Sequence, residues 1–234
     1  QHHTAGQGLD NPSGLASDWV QVGPDSDWAY VAAGWAHAYA IKKDGTIWGI
    51  GDNAHGQISS GGSSINTWNK LGDFSDWNMV SAGYNYGIAM RSDGTLWGIG
   101  LNNHGQIGGT GNRNEWAQIG SDSDWIKVGA GNSHAYAIKA DGSIWGIGED
   151  YMGSVGGSST NTWRRLGTDT GFVDVIGGYY WGMALKADGS AWGIGMNMST
   201  ILGPGGNRSA WTQIGTGTGY RKIAGMHGHA YALK

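Results

Sequence analysis

Apolar and polar residues alternate by twos along this chain, in short runs that return in a fixed order between Gly- and Asp-rich turns. One run reads Trp-x-x-Ile/Leu/Val-Gly and lies at 19–23, 68–72, 116–120, 163–167 and 211–215. A second begins on an aromatic residue and continues to Val or Ile, at 28–34, 77–83, 125–131, 172–178 and 220–225. A third alternates most regularly, at 37–42, 86–91, 134–139, 181–186 and 229–234. The fourth, Thr/Ser-x-Trp-Gly-Ile-Gly, follows an Asp-Gly pair, and its copies open at Asp44, Asp93, Asp141 and Asp188, 49, 48 and 47 residues apart. Runs this short, bounded by turn formers and alternating with a period of two, predict β-strands. No stretch carries a helical period. The Asp-Gly pairs predict tight hairpins in which Gly supplies the positive φ.

Four strands per unit, with the unit repeated at a period near 48, predict the blades of a β-propeller. The second run is the inner strand and the first the outer one. The expected fold is all-β: a five-bladed propeller of four-stranded antiparallel blades forming one domain over 1–234. Its units are approximately 24–72, 73–120, 121–167, 168–215, and 216–234 together with 1–23. The fourth run has only four copies, so the ring is expected to close through its N- and C-terminal segments. Residues 19–23 then form the outer strand of the last blade, and residues 1–6 stand in for its missing strand. The competing expectation is a portion of a longer array.

Composition adds a source of core and removes several functions. Among 234 residues there are 46 Gly, 14 Trp and 10 Tyr but only 2 Phe and 3 Pro. Buried aromatics each cover about 150–250 Å², so the repeated Trp residues are expected to be core. The recurring Asp18, Asp27, Asp76 and Asp124 are expected to be turn formers. Net charge is −4, without a cluster of Lys or Arg, which argues against nucleic acid as a partner. There is no cysteine for a disulfide or thiolate site, and no apolar run approaches the ~18 residues of a membrane-spanning helix. Gln1 in place of Met fits a chain from which a leader has been removed.

From Val80 the chain reads Val-Ser-Ala-Gly, then Ile-Ala-Met-Arg-Ser-Asp-Gly-Thr-Leu-Trp-Gly-Ile-Gly and Asn-x-x-Gly-Gln-Ile-Gly-Gly. This resembles the repeat of the regulator of chromosome condensation family. His37, His134 and His229 sit on that repeat's histidine, Asn53, Asn102 and Asn197 on its asparagine, and Gln57 and Gln106 on its glutamine. The resemblance implies a propeller, and it implies that the histidines are hydrogen-bonded core. The best-known family members have seven blades, and unit three here carries Asp150 and Ser154 in place of Asn and Gln. The nucleotide-exchange members carry a protruding insertion in one blade that no unit here has, so exchange activity does not carry over. In overall plan the chain is also similar to five-bladed invertebrate lectins of the tachylectin type.

Strand direction alternates, so the inner–third turns and the long loops after the fourth strand share one face, where binding is expected. Just past the inner strands, equivalent positions hold Trp35, Tyr84, Asn132, Tyr179 and His227, expected to ring the central opening. The long loops add Asp52, Asn53, His55, Asn102, His104, Arg113, Glu149, Asp150, Tyr151, Asn197 and Arg208. Ring faces beside amides and carboxylates suit sugars. The ligand-binding expectation therefore names Trp35, Tyr84, Asn132, Tyr179, His227, Asp52, Asn102, Asp150 and Asn197. The leading functional expectation is a non-catalytic, extracellular or virion- or cell-surface lectin or adhesin with several weak glycan sites. The alternatives are a protein-interaction scaffold using the same face and an engineered repeat without a natural ligand. A glycosidase would need two carboxylates flanking one bond, and no such pair marks an inner strand. His227 and His229 make a weak metal motif, so neither metal nor cofactor is expected.

Overall fold

A computed structural model describes residues 21–226 and 228–234, with the side chains of Ser199 and Met226 left aside. Blade one consists of β1 (Trp28–Ala33), β2 (His37–Lys42), β3 (Ile47–Gly51) and β4 (Ile65–Lys70). Blade two consists of β5 (Trp77–Ala82), β6 (Tyr86–Arg91), β7 (Leu96–Gly100) and β8 (Arg113–Gln118). Blade three follows with β9 (Trp125–Ala130), β10 (His134–Lys139), β11 (Ile144–Gly148) and β12 (Thr160–Arg165). Blade four has β13 (Phe172–Gly177), β14 (Trp181–Lys186), β15 (Ala191–Gly195) and β16 (Arg208–Gln213), and blade five the pair β17 (Lys222–Met226) and β18 (His229–Leu233). Each sheet is an antiparallel meander in chain order. The inner strands β1, β5, β9, β13 and β17 neighbour one another in turn, which makes the array a propeller. The strands expected from residues 1–6 and 19–23, and ring closure through them, lie outside the described residues apart from 21–23.

The Asp-Gly-Thr-x-Trp motif is a hydrogen-bonded hairpin. Asp44 Oδ1 accepts from the Thr46 backbone N–H at 2.9 Å and from its hydroxyl at 2.7 Å, and Thr46 Oγ1 accepts from Trp48 Nε1 at 2.9 Å. Asp93, Thr95 and Trp97 repeat the relay, and Ser143 and Ser190 serve Trp145 and Trp192. These bonds hold the carboxyls of Asp44, Asp93, Asp141 and Asp188 below the ordinary carboxylate range. Gly45 needs its φ of 79°, and a Cβ there would lie 2.1 Å from the Ser75 carbonyl oxygen of the next unit.

Each tryptophan so anchored joins a trio of rings. Trp77 meets Trp97 edge-on at 6.0 Å and Trp116 at 5.3 Å, and Trp125, Trp145 and Trp163 repeat the arrangement. The last residue of β2, β6 or β10 lies over the trio. Lys139 Nζ is 4.8 and 4.9 Å from the Trp125 and Trp145 rings, and pairs with Asp122 at 2.8 Å and Asp124 at 3.0 Å. Lys42 does the same with Trp28, Trp48, Asp25 and Asp27, and Arg91 with Phe74, Trp97 and Asp76. Asp27, Asp76 and Asp124 therefore neutralise a cation held against aromatic faces, and Asp18 lies outside the described residues.

Between blades, large side chains meet small ones. Tyr39 of blade one lies on Gly87 of blade two, and Tyr136 of blade three on Gly182 of blade four. A Cβ at either glycine would come within 2.5 or 2.4 Å of the tyrosine ring. From blade two to three Ile88 shares a cluster with Ala135, and from four to five Ala230 packs against the cluster that holds Met183. The units thus alternate between His-Ala-Tyr and aromatic-Gly-Ile/Met at these positions. Tyr231, which matches Tyr39 and Tyr136, is 70% exposed.

One sequence expectation shifts. The outer strands run 65–70, 113–118, 160–165 and 208–213, so Trp68, Trp116, Trp163 and Trp211 sit within them. Leu71 and its equivalents then add one more ladder bond before Gly72 (φ 72°) turns the chain. The central glycine of Trp-Gly-Ile-Gly receives side chains of its own unit, Ile107 and Ile119 on Gly98. Gly87 on β6 and Gly182 on β14 receive the neighbouring blade's tyrosine, and a Cβ at the motif's last glycine, Gly100 or Gly148, would lie 3.0 Å from Cβ of Gln57 or Gln106 in the preceding blade.

Gly182→Ala should destabilise the propeller by about 2 kcal/mol, the usual cost of overpacking. Adding Tyr136→Ile, the partner that alanine has at Ala135, should recover part of the loss. Thermal unfolding of the single and double variants reads both values, and no recovery would contradict the pairing.

Candidate functional site: the loop face

The turns after the inner strands do gather at the axis. Trp35, Tyr84, Asn132 and Tyr179 line one cavity above a floor of Ala-Gly and Gly-Gly pairs. Backbone bonds tie the turns together, from Tyr84 N–H to the Asn132 carbonyl at 3.4 Å and from Asn132 N–H to the Gly178 carbonyl at 3.0 Å. Trp35 stacks on Tyr84 with ring centres 5.1 Å apart, and it remains 46% exposed. The cavity holds about 40 Å³, little more than the ~30 Å³ share of one water. His227, the remaining member of the expected ring, lies outside the described residues.

Two residues further on, His37, Tyr86, His134 and Trp181 are buried. Burial pushes the imidazoles of His37 and His134 down to about 4, only partly offset by the backbone of Tyr86 and Trp181. His134 Nε2 lies 3.3 Å from the Trp181 carbonyl, whereas neither ring nitrogen of His37 has a hydrogen-bond partner among the described residues. Both histidines are neutral core, whereas His229, expected to be core as well, is exposed.

The long loops are built by the asparagines. Asn102 Oδ1 accepts the Ile107 N–H at 3.0 Å and its Nδ2 donates to the Gly108 carbonyl at 3.0 Å. Asn53 and Asn197 repeat this with Ile58 and Ser59, and with Leu202 and Gly203. In unit three Asp150, which has no amide to donate, accepts from both Val155 and Gly157 N–H. Gln57 and Gln106 accept from the N–H of His55 and His104, and Gln57 Nε2 donates to Asp52. Of the expected ligand residues, Asn102, Asp150 and Asn197 therefore bond their own loops, and Asp52 bonds Gln57. Asn102 is 3% exposed.

Beside the axis, Tyr180, which the sequence did not single out, joins Tyr179, Tyr151 and Glu149, which it did. Tyr180 meets Tyr179 at 4.3 Å and 70°, and Tyr151 at 4.3 Å and 40°. Its phenol is pushed up to about 12, first by its hydrogen bond with Tyr179, then by burial and by the negative field of Glu149. Glu149 Oε1 is 3.7 Å from His104 Nδ1 of the preceding blade. The signal was the Tyr179-Tyr180 doublet, where other units read Trp35-Ala36, Tyr84-Asn85 and Asn132-Ser133.

Residues 28–57 and 80–106, which end on the Asn-to-backbone loops just described, match the model of the Regulator of chromosome condensation (RCC1) repeat. Two of its repeats are thus similar to the RCC1 repeat. Solved structures agree on the fold. Human WBSCR16 superposes with a TM-score of 0.78 at 18% identity over 91% of this chain and 60% of its own. Prp20p of Saccharomyces cerevisiae gives 0.78 at 18% identity over 90% of this chain and 56% of its own. The ectodomain of the Arabidopsis thaliana receptor kinase ACR4 gives 0.55 at 18% identity, over 88% and 59%. The chain thus spans less than two thirds of each of these proteins. No curated protein matches it in sequence.

Two measurements test this description. The unfolded chain protonates histidine near 6.5, whereas His37 and His134 resist protonation down to about 4. Between those values the unfolded state holds more protons, so stability falls as pH falls, by roughly 3 kcal/mol per histidine across the window. The His37→Tyr, His134→Tyr double variant, carrying the residue found at Tyr86, should lose that slope in melting temperature between pH 6.5 and 4. Thr200 stands at φ 62°, where the other units use Gly56, Gly105 and Gly153. Thr200→Gly should therefore raise stability by about 1 kcal/mol, read by denaturant unfolding.

Proposed function

We propose that this propeller is a non-catalytic protein-docking scaffold whose partner seats on the loop face across the central opening. The observation that carries the reading is the half-exposed Trp35, stacked on Tyr84 at the axis, with Tyr151 and Met152 also exposed on the loop of blade three. Aromatic and Met side chains around a shallow depression are the surface that protein interfaces favour. The central cavity is too small to enclose a substrate, and the two described core histidines are sealed from solvent. Proteins of the same fold support the reading. Prp20p is described as binding Gsp1p and histones, and yeast RCC1 has been solved bound to Kap60.

A sugar ligand is the second reading, favoured by the same Trp35–Tyr84 stack, which offers ring faces to C–H groups. It is weakened by Asn102, Asp150 and Asn197, whose polar atoms are committed to the loops. Affinity capture on the immobilised chain, repeated with Trp35→Ala and with competing glycans, separates the two. Docking predicts a stoichiometric protein partner that Trp35→Ala releases, with unchanged melting temperature, and that sugars leave in place. Glycan binding at millimolar concentration that displaces the partner, or the absence of any partner, would overturn it.

A further inference from the structure

A groove of about 620 Å³ lies at the seam between blades two and three on the loop face. That volume is within the roughly 300–1,000 Å³ of small-ligand sites, whereas the axial cavity holds about 40 Å³. One wall is the loop of blade two with Asn103, His104 and Thr110, and the other is Thr160 and Asn161 at the start of β12. The walls are fixed to each other. Gly109 N–H donates to the Asn161 carbonyl across the seam at 3.2 Å. A Cβ at Gly105 would lie 2.6 Å from Asn161 Cβ, so glycine lets the two blades approach there. Gln106 Oε1 accepts the His104 N–H at 3.0 Å, and His104 Nδ1 lies 3.7 Å from Glu149. The set is particular to this seam, since the pairs equivalent to Asn103-His104 in units one, three and four are Ala54-His55, Tyr151-Met152 and Met198-Ser199.

Among the described residues, the lining holds no Asp, Glu, Lys or Arg and no large apolar side chain. An ionic ligand would be desolvated there without a counter-charge, and an apolar one would meet no apolar partner. What remains are amides, hydroxyls and one imidazole. An amide offers donors and an acceptor together, and a hydroxyl offers both. Asn102 spends its amide on its own loop. The Asn103 amide and the Thr110 hydroxyl have no hydrogen-bond partner among the described residues, and Asn161 Nδ2 reaches only the Gly109 carbonyl, at 3.5 Å. We propose that the groove is a saccharide site that takes a neutral sugar of one or two rings. Asn103, Thr110 and Asn161 bond its hydroxyls, and His104 Nε2, across the ring from Glu149, adds a further partner. The groove shares no residue with the axial cavity beside Trp35 and Tyr84, so the site does not rest on the docking reading.

The test is a titration of the full chain with D-glucose, D-galactose, D-mannose and their 2-acetamido derivatives, following side-chain amide and aromatic resonances. At least one sugar should shift the Asn103 and Asn161 amides with millimolar affinity, while the Trp35 and Tyr84 rings stay unmoved. The 6-phosphate of that sugar should bind at least about fivefold more weakly. Asn103→Ala and Thr110→Val should each weaken the neutral sugar about threefold or more, the worth of one hydrogen bond, with melting temperature unchanged. Thr110→Val keeps the side chain's shape, so it reads the hydroxyl even where Asn103→Ala perturbs the loop tip. No shift with any of the sugars up to about 100 mM, equal binding of the phosphate, or indifference to both variants would overturn the site while leaving protein docking to its own test. Shifts confined to Trp35 and Tyr84 would place the sugar at the axis and overturn it as well.

Discussion

A tyrosine ring laid on a glycine of the next blade fixes how closely the blades approach, and the rest of the propeller is built around that contact. Tyr39 on Gly87 and Tyr136 on Gly182 leave no room for a Cβ. At the intervening interfaces Ile88 and Met183 take the tyrosine's strand position, in clusters that also hold Ala135 and Ala230. Large-against-small pairing of this kind gives close packing without strain. It also makes the structural period two units long, although the strands repeat every unit. With the inner turns held at that spacing, Trp35, Tyr84, Asn132 and Tyr179 converge on one opening.

The two faces then divide the work. On one, short Asp-Gly hairpins relay hydrogen bonds from aspartate through a hydroxyl to an indole, and a lysine or arginine covers each ring trio. Its carboxylates and cations compensate one another locally. On the other, the loop asparagines satisfy the backbone from within, which frees neighbouring positions to vary. Trp35, Glu149, Tyr151 and the Tyr179-Tyr180 pair occupy such positions. A rigid frame with variable residues on one side is the usual setting for recognition.

Much of this was readable from the chain. Alternation by twos placed the third and fourth strands almost to the residue, and the resemblance of His37 and His134 to a structural position pointed to core, where burial indeed keeps them neutral. Other features depend on contacts between segments that no local pattern encodes. Lys139 ends a strand and Asp122 lies in a connector, so their pairing over Trp125 became visible only when the hairpin was folded. The Trp-x-x-Ile-Gly run suggested an outer strand beginning at Trp68, but the pairing of Gly51 with Ile65 starts it three residues earlier. Asn102 looked like a ligand residue because amides bind sugars, and its own loop uses both of its polar atoms instead.

The central claim is that recognition belongs to the loop face while the hairpin face is structural. Hydrogen–deuterium exchange of the chain with and without a captured partner tests it most directly. The account predicts added protection at the turns holding Trp35, Tyr84 and Tyr179 and in the loop of Glu149 and Tyr151, with the Asp44, Asp93, Asp141 and Asp188 hairpins unchanged. Protection confined to those hairpins would contradict it.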